Sequence, residues 1–270
     1  VTSRILITGG ASGFGCALAE IYAARGDQVL VTDLSPTAPL PTGPTSGHGE
    51  VAYLRLDVRD DDAWRTARDW VVQRWGGLDM LINNAGVAAG GRIDVLPMAE
   101  WQRLVDIDLL GVVRGCQTFT PLFKEQRSGR IVNVASLAGL VHAPSMSAYN
   151  AVKAGVVALS ETLLYELSPY SIGVSVVCPS FFRTNLHKSV PATDPAAAQT
   201  AKTLIARAPR SAGTVAKRTV RALDKGRFMV RPQVEAVVFT GAKHLATPLY
   251  HPTMRWLARR LDSSERQRDA

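Results

Sequence analysis

The chain has 270 residues, 46% of them hydrophobic, and a formal net charge of +8. That is enough for one full core of the larger α/β kind and cramped for two independent domains, so residues 1–270 are read as a single unit. No apolar run approaches the roughly 20 residues that cross a bilayer. The three cysteines, Cys16, Cys116 and Cys178, are odd in number and lack metal-ligand spacing; we expect reduced thiols, a cytoplasmic location and no metal site.

The first residues lead directly into the apolar run Arg4-Ile5-Leu6-Ile7-Thr8, so no signal peptide is expected. Further runs rich in Val, Ile and Leu follow at residues 28–32, 51–56, 79–83, 130–135 and 172–178. Longer segments with helical periodicity separate most of them. Strands that are apolar at nearly every position belong to a parallel sheet covered on both faces, and right-handed crossovers make it doubly wound, a Rossmann-type α/β fold. Residues 35–50 hold Pro36, Pro39, Pro41 and Pro44 among glycines and are expected to be an irregular loop. Two long helices are expected near residues 100–126 and 147–169, the second with an apolar stripe of Val152, Val156, Leu159, Leu163 and Leu167. A last strand is expected at residues 227–230.

Charge is unevenly placed. From Lys202 onward there are 15 Lys or Arg against 5 Asp or Glu, whereas the preceding residues carry 16 against 18. A basic C-terminal quarter suits an anionic surface or ligand. Aromatic residues are not interleaved with it as a stacking platform for bases requires, so no nucleic-acid partner is expected.

Three patterns carry chemistry. Thr8-Gly9-Gly10-Ala11-Ser12-Gly13-Phe14-Gly15 lies between the first strand and a helix rich in Ala and Leu. Glycines there let the backbone approach a pyrophosphate, and the helix start offers free N–H groups and partial positive charge. Asp33 ends the second strand, where it can accept from both ribose hydroxyls of an adenosine and repel a 2′-phosphate; a turn cap is the alternative. No Arg or Lys stands at Ser12 or Leu34 to receive that phosphate. Tyr149 and Lys153 are one helical turn apart and therefore share a face, with Ser136 thirteen positions before the tyrosine.

Together Gly9-x-x-x-Gly13-x-Gly15, Asn83-Asn84-Ala85-Gly86, Ser136 and Tyr149-x-x-x-Lys153 resemble the short-chain dehydrogenase/reductase family in its compact single-domain form, over roughly residues 4–190. The resemblance implies an oxidoreductase moving a hydride between NAD and an apolar secondary alcohol or ketone. It also implies that Tyr149 is the general acid/base, Ser136 the partner of the substrate oxygen, and Lys153 a group that lowers the tyrosine's pKa and holds the nicotinamide ribose. Cofactor contacts are implied at Gly9, Ser12, Gly13, Phe14, Gly15, Asp33, Leu34, Asp57, Val58, Asn84, Ala85, Gly86, Tyr149, Lys153, Pro179, Phe182 and Thr184, and assembly into a homodimer or homotetramer through the two long helices. An NADPH-dependent carbonyl reductase and a non-catalytic dinucleotide sensor are the alternatives. The family usually carries Asn at the position of Asp108. Aspartate there can accept from Lys153 but cannot donate, and is expected to hold the lysine charged and alter the proton relay.

Substrate candidates beside the catalytic groups are His142, Met146, Phe181, Phe182 and His187, and a substrate lid segment is expected at 181–225. Residues 233–270 form a basic helical extension in which Leu245, Leu249, Leu257 and Leu261 recur around Pro248 and Pro252, near Lys243, Arg255, Arg259 and Arg260, with Tyr250 and Trp256. Two readings are open: peripheral contact with an anionic membrane, or a helix packed on the subunit or across a dimer.

Overall fold

The computed structural model describes residues 2–36, 49–184, 199 and 203–266. Seven strands, β1 Arg4–Thr8, β2 Gln28–Asp33, β3 Val51–Arg55, β4 Met80–Asn83, β5 Gly129–Val134, β6 Ile172–Val177 and β7 Met229–Val230, form one sheet. Its order is β3-β2-β1-β4-β5-β6-β7 and every neighbouring pair is parallel.

Alternation along the strands assigns the two faces. Ile5, Ile7, Val29, Val31, Ile82 and Val132 point toward α1 (Gly13–Ala24) and α6 (Ala212–Asp224), where Leu18, Val215 and Val220 complete a core. Leu6, Leu30, Leu81 and Ile131 point the other way. They meet α2 (Asp61–Trp75), α4 (Gly111–Gln126) and α5 (Ser147–Leu167) through Trp64, Phe119, Phe123 and Val156. Burial on both faces is why these strands read as continuous apolar runs.

The expected helix at 100–126 is a rod of three parts: α3 (Met98–Leu104), a π-helical turn (Val105–Leu110) and α4. The expected loop after Ser35 lies mostly outside the described residues, as do His187 and most of residues 188–202. The expected lid range of 181–225 includes α6, which packs on α1 as a core helix: Val215, Ala216 and Val220 are fully buried, so residues 212–224 are not part of a lid. The C-terminal extension is two helices, α7 (Val234–Leu245) and α8 (Thr247–Arg266), broken at Ala246. That break divides the expected leucine stripe: Leu245 and Leu249 are exposed and Leu257 is half-buried, while the Leu261 side chain lies outside the description. No helix among the described residues is long and apolar enough to cross a membrane.

Winding reverses at β1, so the C-terminal ends of β1 and β4 open a crevice. Beneath it a buried polar chain joins the layers. Asn83 Nδ2 donates to Asn133 Oδ1 at 2.9 Å, Asn133 Nδ2 to Ser160 Oγ at 3.0 Å, and Ser160 Oγ to the Val156 carbonyl at 2.6 Å. Asn133→Ala strands a donor and an acceptor away from water. It is expected to cost about 1–3 kcal/mol, and a domain of this size loses about 2–4 °C of Tm per kcal/mol in a thermal melt.

Candidate active site

The loop between β1 and α1 is built for close backbone approach. Gly9 and Gly13 hold left-handed φ values of 61° and 57°. A Cβ on Gly15 would lie 2.3 Å from the Gly9 carbonyl oxygen, so only glycine lets α1 start this near the loop. Ser12 caps α1 without a side-chain hydrogen bond, and the first turn holds no acidic residue. Its N–H groups and the positive end of the helix dipole are thus left for an anion.

Two groups fasten this loop. Asn84 Nδ2 donates to the carbonyls of Thr8 at 2.8 Å and Gly9 at 3.1 Å, while Thr8 Oγ1 accepts from the N–H groups of Asn84 and Ala85 at 2.9 and 3.0 Å. Asn84 is therefore the staple between β4 and the loop, and Thr8 is its partner; the only sequence signal for Thr8 was its place at the end of β1. Asp33 accepts from Ala11 N at 3.1 Å and Leu34 N at 2.8 Å. Its cap role is thus realised, at the mouth where a ribose was expected. Arg55, paired with Asp33 in the β2–β3 register, donates to the Leu34 carbonyl at 3.3 Å; sequence reasoning missed this cation because it lies on the next strand.

The other expected cofactor residues divide in two. Phe14 and Phe182 meet edge to face at 5.5 Å between ring centres, Thr184 lies beside Gly13, and the Pro179 carbonyl accepts from Leu137 N at 2.8 Å, so these border the same crevice. Asp57 is held by Arg59, with Nη2 2.7 Å from Oδ2, and this pair keeps its carboxyl below the usual range, the Arg59 hydrogen bond outweighing partial burial. Val58 is buried against Gly111, and its carbonyl accepts from Trp64 Nε1 at 3.0 Å.

Across the crevice lie the catalytic candidates. Ser136 follows β5 and caps a short 3-10 turn, Leu137–Gly139, its Oγ accepting from Ala138 N at 3.1 Å; its hydroxyl also favours the ionised form of Tyr149. Tyr149 and Lys153 project from the first turns of α5, both buried, with Lys153 Nζ 5.7 Å from the tyrosine ring centre. Asp108, fully buried in the π turn, places Oδ2 3.0 Å from Lys153 Nζ and accepts from Val87 N at 2.8 Å on Oδ1. Nζ also donates to the Val134 carbonyl at 3.3 Å. Asp108 thus accepts a backbone N–H at a helix irregularity and also pairs with the lysine.

The electrostatics differ from expectation in one respect. Burial raises the Tyr149 pKa; Lys153 pulls it down, Asp108 pushes it up and the Ser136 hydrogen bond pulls it down, and the balance stays above the ordinary phenol value. Lys153 together with the positive nicotinamide of NAD was expected to lower it, and the protein's own groups do not do so by themselves. Burial, which favours the neutral phenol, is the largest influence; Lys153 opposes it, and Asp108 takes back part of that effect. Burial by itself would lower the Lys153 pKa, but Asp108 and Tyr149 outweigh this and raise it, so the ammonium is held as anticipated.

Toward the substrate side, Met146 is half-buried and Phe181 exposed, and His142 lies at the surface, its pKa lowered by lost hydration and then by the Lys243 ammonium. Gln233 escaped the sequence reading, and Lys243 was read only as a cation of the C-terminal extension. Gln233 Oε1 accepts from Ser180 N at 2.8 Å and its Nε2 donates to the Phe181 carbonyl at 3.1 Å; Lys243 Nζ donates to the Leu140 carbonyl at 2.7 Å. Neither stands in a motif.

Comparison with known proteins agrees with this geometry. Residues 3–195 match the family model described as short chain dehydrogenase. The chain is 36% identical over 189 residues to trans-4-hydroxycyclohexanecarboxylate dehydrogenase of Sinomonas cyclohexanicum, covering 66% of this chain and 72% of the relative. It is 30% identical over 269 residues to a CLA biosynthesis dehydrogenase/reductase of Lactiplantibacillus plantarum, covering 90% and 93%. A short chain dehydrogenase/reductase from Burkholderia phymatum, solved in complex with NAD, superposes with a TM-score of 0.85 at 29% identity over 92% of this chain and 95% of that one. With a reversed parallel sheet, a glycine-lined helix start and the Ser136, Tyr149 and Lys153 cluster facing it, the chain belongs to the short-chain dehydrogenase/reductase family.

Proposed function

We propose that the protein is an NAD-dependent oxidoreductase that interconverts an apolar secondary alcohol and its ketone. The observation that carries this reading is the buried Tyr149–Lys153–Asp108 cluster, with half-buried Ser136 beside it, across the crevice from a glycine-lined helix N-terminus without a side-chain cap bond. The residues present fit the dinucleotide. In this reading the Gly9–Gly15 loop and the start of α1 hold the pyrophosphate, Asp33 and Leu34 the adenosine ribose, and Asp57 and Val58 flank the adenine. Asn84, Ala85 and Gly86 line the floor, Tyr149 and Lys153 reach the nicotinamide ribose, and Pro179, Phe182 and Thr184 border the carboxamide. NAD, when bound, supplies the hydride acceptor.

This chain's own residues move the proton. Ser136 Oγ hydrogen-bonds the substrate oxygen and steadies its developing charge. Tyr149 takes the hydroxyl proton in oxidation and returns it in reduction. Lys153 keeps a positive charge beside the phenolate as it forms, and Asp108 positions that ammonium. Phe181, Phe182 and Met146 favour an apolar body on the substrate. The Sinomonas relative is named for a hydroxylated cyclohexane, in line with a secondary alcohol. Assembly as a homodimer or homotetramer through α4 and α5 belongs to the same proposal; Tyr165 on α5 is a large exposed ring available to such a contact.

A second reading, preference for NADP, is favoured by Arg55 beside Asp33. A carboxylate about 4 Å from a 2′-phosphate repels it by about 1 kcal/mol in water and about 4 kcal/mol at an effective dielectric near 20, so NAD should lead by roughly ten- to thousandfold. Measured over a panel of secondary alcohols, wild-type protein should reduce NAD with that margin, and Asp33→Ala should narrow it; faster NADP reduction by wild type would establish the second reading. Tyr149→Phe should lower kcat by about 10²–10⁴ while NADH binding, read by fluorescence titration, weakens far less, through loss of the one ribose contact; an equal loss in binding and in kcat would make Tyr149 a cofactor-binding residue and not the acid/base. Asp108→Asn removes a negative charge that disfavours the phenolate, so the rising limb of kcat against pH in alcohol oxidation should move to lower pH. An unmoved limb would refute the role given to Asp108.

A further inference from the structure

Helix α7 is turned inside out. Ala236 and Thr240 face the body of the protein, whereas Val234, Val237, Val238 and Leu245 face solvent, Leu245 being 91% exposed. Gly241 lies among them, with nothing within 4 Å of an added Cβ. At helical spacing these five positions fall within about 100° of arc, an apolar stripe of the width usually buried in a core. The surface continues on α8 through Leu249, 71% exposed, and Trp256 one heptad later, with the Arg260 guanidinium 4.1 Å over its ring. An outward apolar surface of this extent marks an interaction site.

Its chemistry selects the occupant. No Asp or Glu occurs between Glu235 and Asp262, while Arg255, Arg259 and Arg260 do; Lys243 is turned inward to the Leu140 carbonyl. A second copy docked by two-fold symmetry would set each cationic rim against itself, with no acid in the stretch to answer it. An anionic lipid surface offers an apolar interior beneath negative headgroups and matches both parts. The face also has a functional address: Gln233, at the start of α7, ties down Ser180 and Phe181, and Lys243, near its end, ties down Leu140. The helix thus bridges the loop after β6, which carries Phe182, and the loop after β5, which carries Ser136.

We propose that the outward face of α7 and α8 docks on an anionic bilayer and brings the substrate mouth to the lipid, from which an apolar alcohol or ketone enters. The docking stands on the surface alone; the entry of substrate rests on the oxidoreductase reading above. The test is flotation of the full chain with vesicles of phosphatidylcholine, alone or mixed with phosphatidylglycerol. Wild type should float with the mixed vesicles and not with the neutral ones. The double substitutions Val237→Asp with Val238→Asp, and Arg255→Glu with Arg259→Glu, should each weaken binding at least about tenfold, because each surface cation contributes about 1 kcal/mol. These side chains are exposed, so Tm and NADH binding should be unchanged. Equal flotation with both vesicle types, no flotation, or equal binding by wild type and both variants would overturn the proposal. Dissociation of a dimer by the valine pair, seen by light scattering without vesicle binding by wild type, would likewise overturn it in favour of a second copy. Turnover of a vesicle-embedded alcohol should fall in both variants while that of a water-soluble alcohol is unaltered. Vesicle binding without any turnover would leave the docking standing and sink the oxidoreductase reading instead.

Discussion

Placing an ammonium and a carboxylate together in the interior costs several kcal/mol of hydration for each ion, and the site is organised around meeting that cost at Lys153 and Asp108. One contact at 3.0 Å does not suffice; the remaining lone pairs and protons need partners. Val87 N–H supplies one to Asp108, and the Val134 carbonyl supplies another to Lys153. A π-helical turn places Asp108 opposite α5, and π turns of this kind are typically found where a helix must redirect a functional side chain. Gly86 leaves the room this requires, since even a Cβ there would sit 3.3 Å from Asp108 Oδ2. Removing one member would leave the other charge buried alone, which ties the positions of β4, α3, α4 and α5 to a single ion pair.

That pair also sets the character of the tyrosine. In a site whose lysine stood unpaired, the positive charge would act fully on Tyr149 and stabilise the phenolate. Here the carboxylate takes part of that influence away, and burial adds to the cost of ionisation. The phenol rests in its neutral form, and a second positive charge, such as that carried by an oxidised nicotinamide, is needed before it gives up its proton easily. In the proposed reaction, proton release is thereby conditional on occupancy of the crevice.

The two walls of the crevice are linked at their far ends as well as at their base. Asn84 and Thr8 fasten β4 to the glycine loop, while Gln233 and Lys243 fasten α7 to the loops after β6 and β5. A helix held in this way cannot shift without moving the segments that carry Phe182 and Ser136. The C-terminal extension thus borders the candidate site, and its apolar outer face is kept in fixed relation to the loops after β5 and β6.

Much of this was written in local sequence. Runs apolar at every position exist only where a strand is covered twice, so β1, β2 and β4 announced a parallel sheet; residues four apart on a helix must share a face, so Tyr149 and Lys153 announced themselves as a pair. The glycine loop could be read because its conformations exclude side chains. Contacts across chain distance could not be read this way. Arg55 comes to Asp33 through strand register, and Val87 to Asp108 through the packing of a rod whose hydrogen-bonding slips by one residue; no spacing encodes either. The balance on the tyrosine depended on burial, which only the assembled layers define. The valines of α7 show the same limit from the other side. By periodicity they are an apolar stripe like any core helix, and the sequence determined that such a stripe exists. Tertiary structure alone decided that it faces outward, because the direction of a stripe is set by which side of the helix finds a surface to pack against, and here Ala236 and Thr240 found it first.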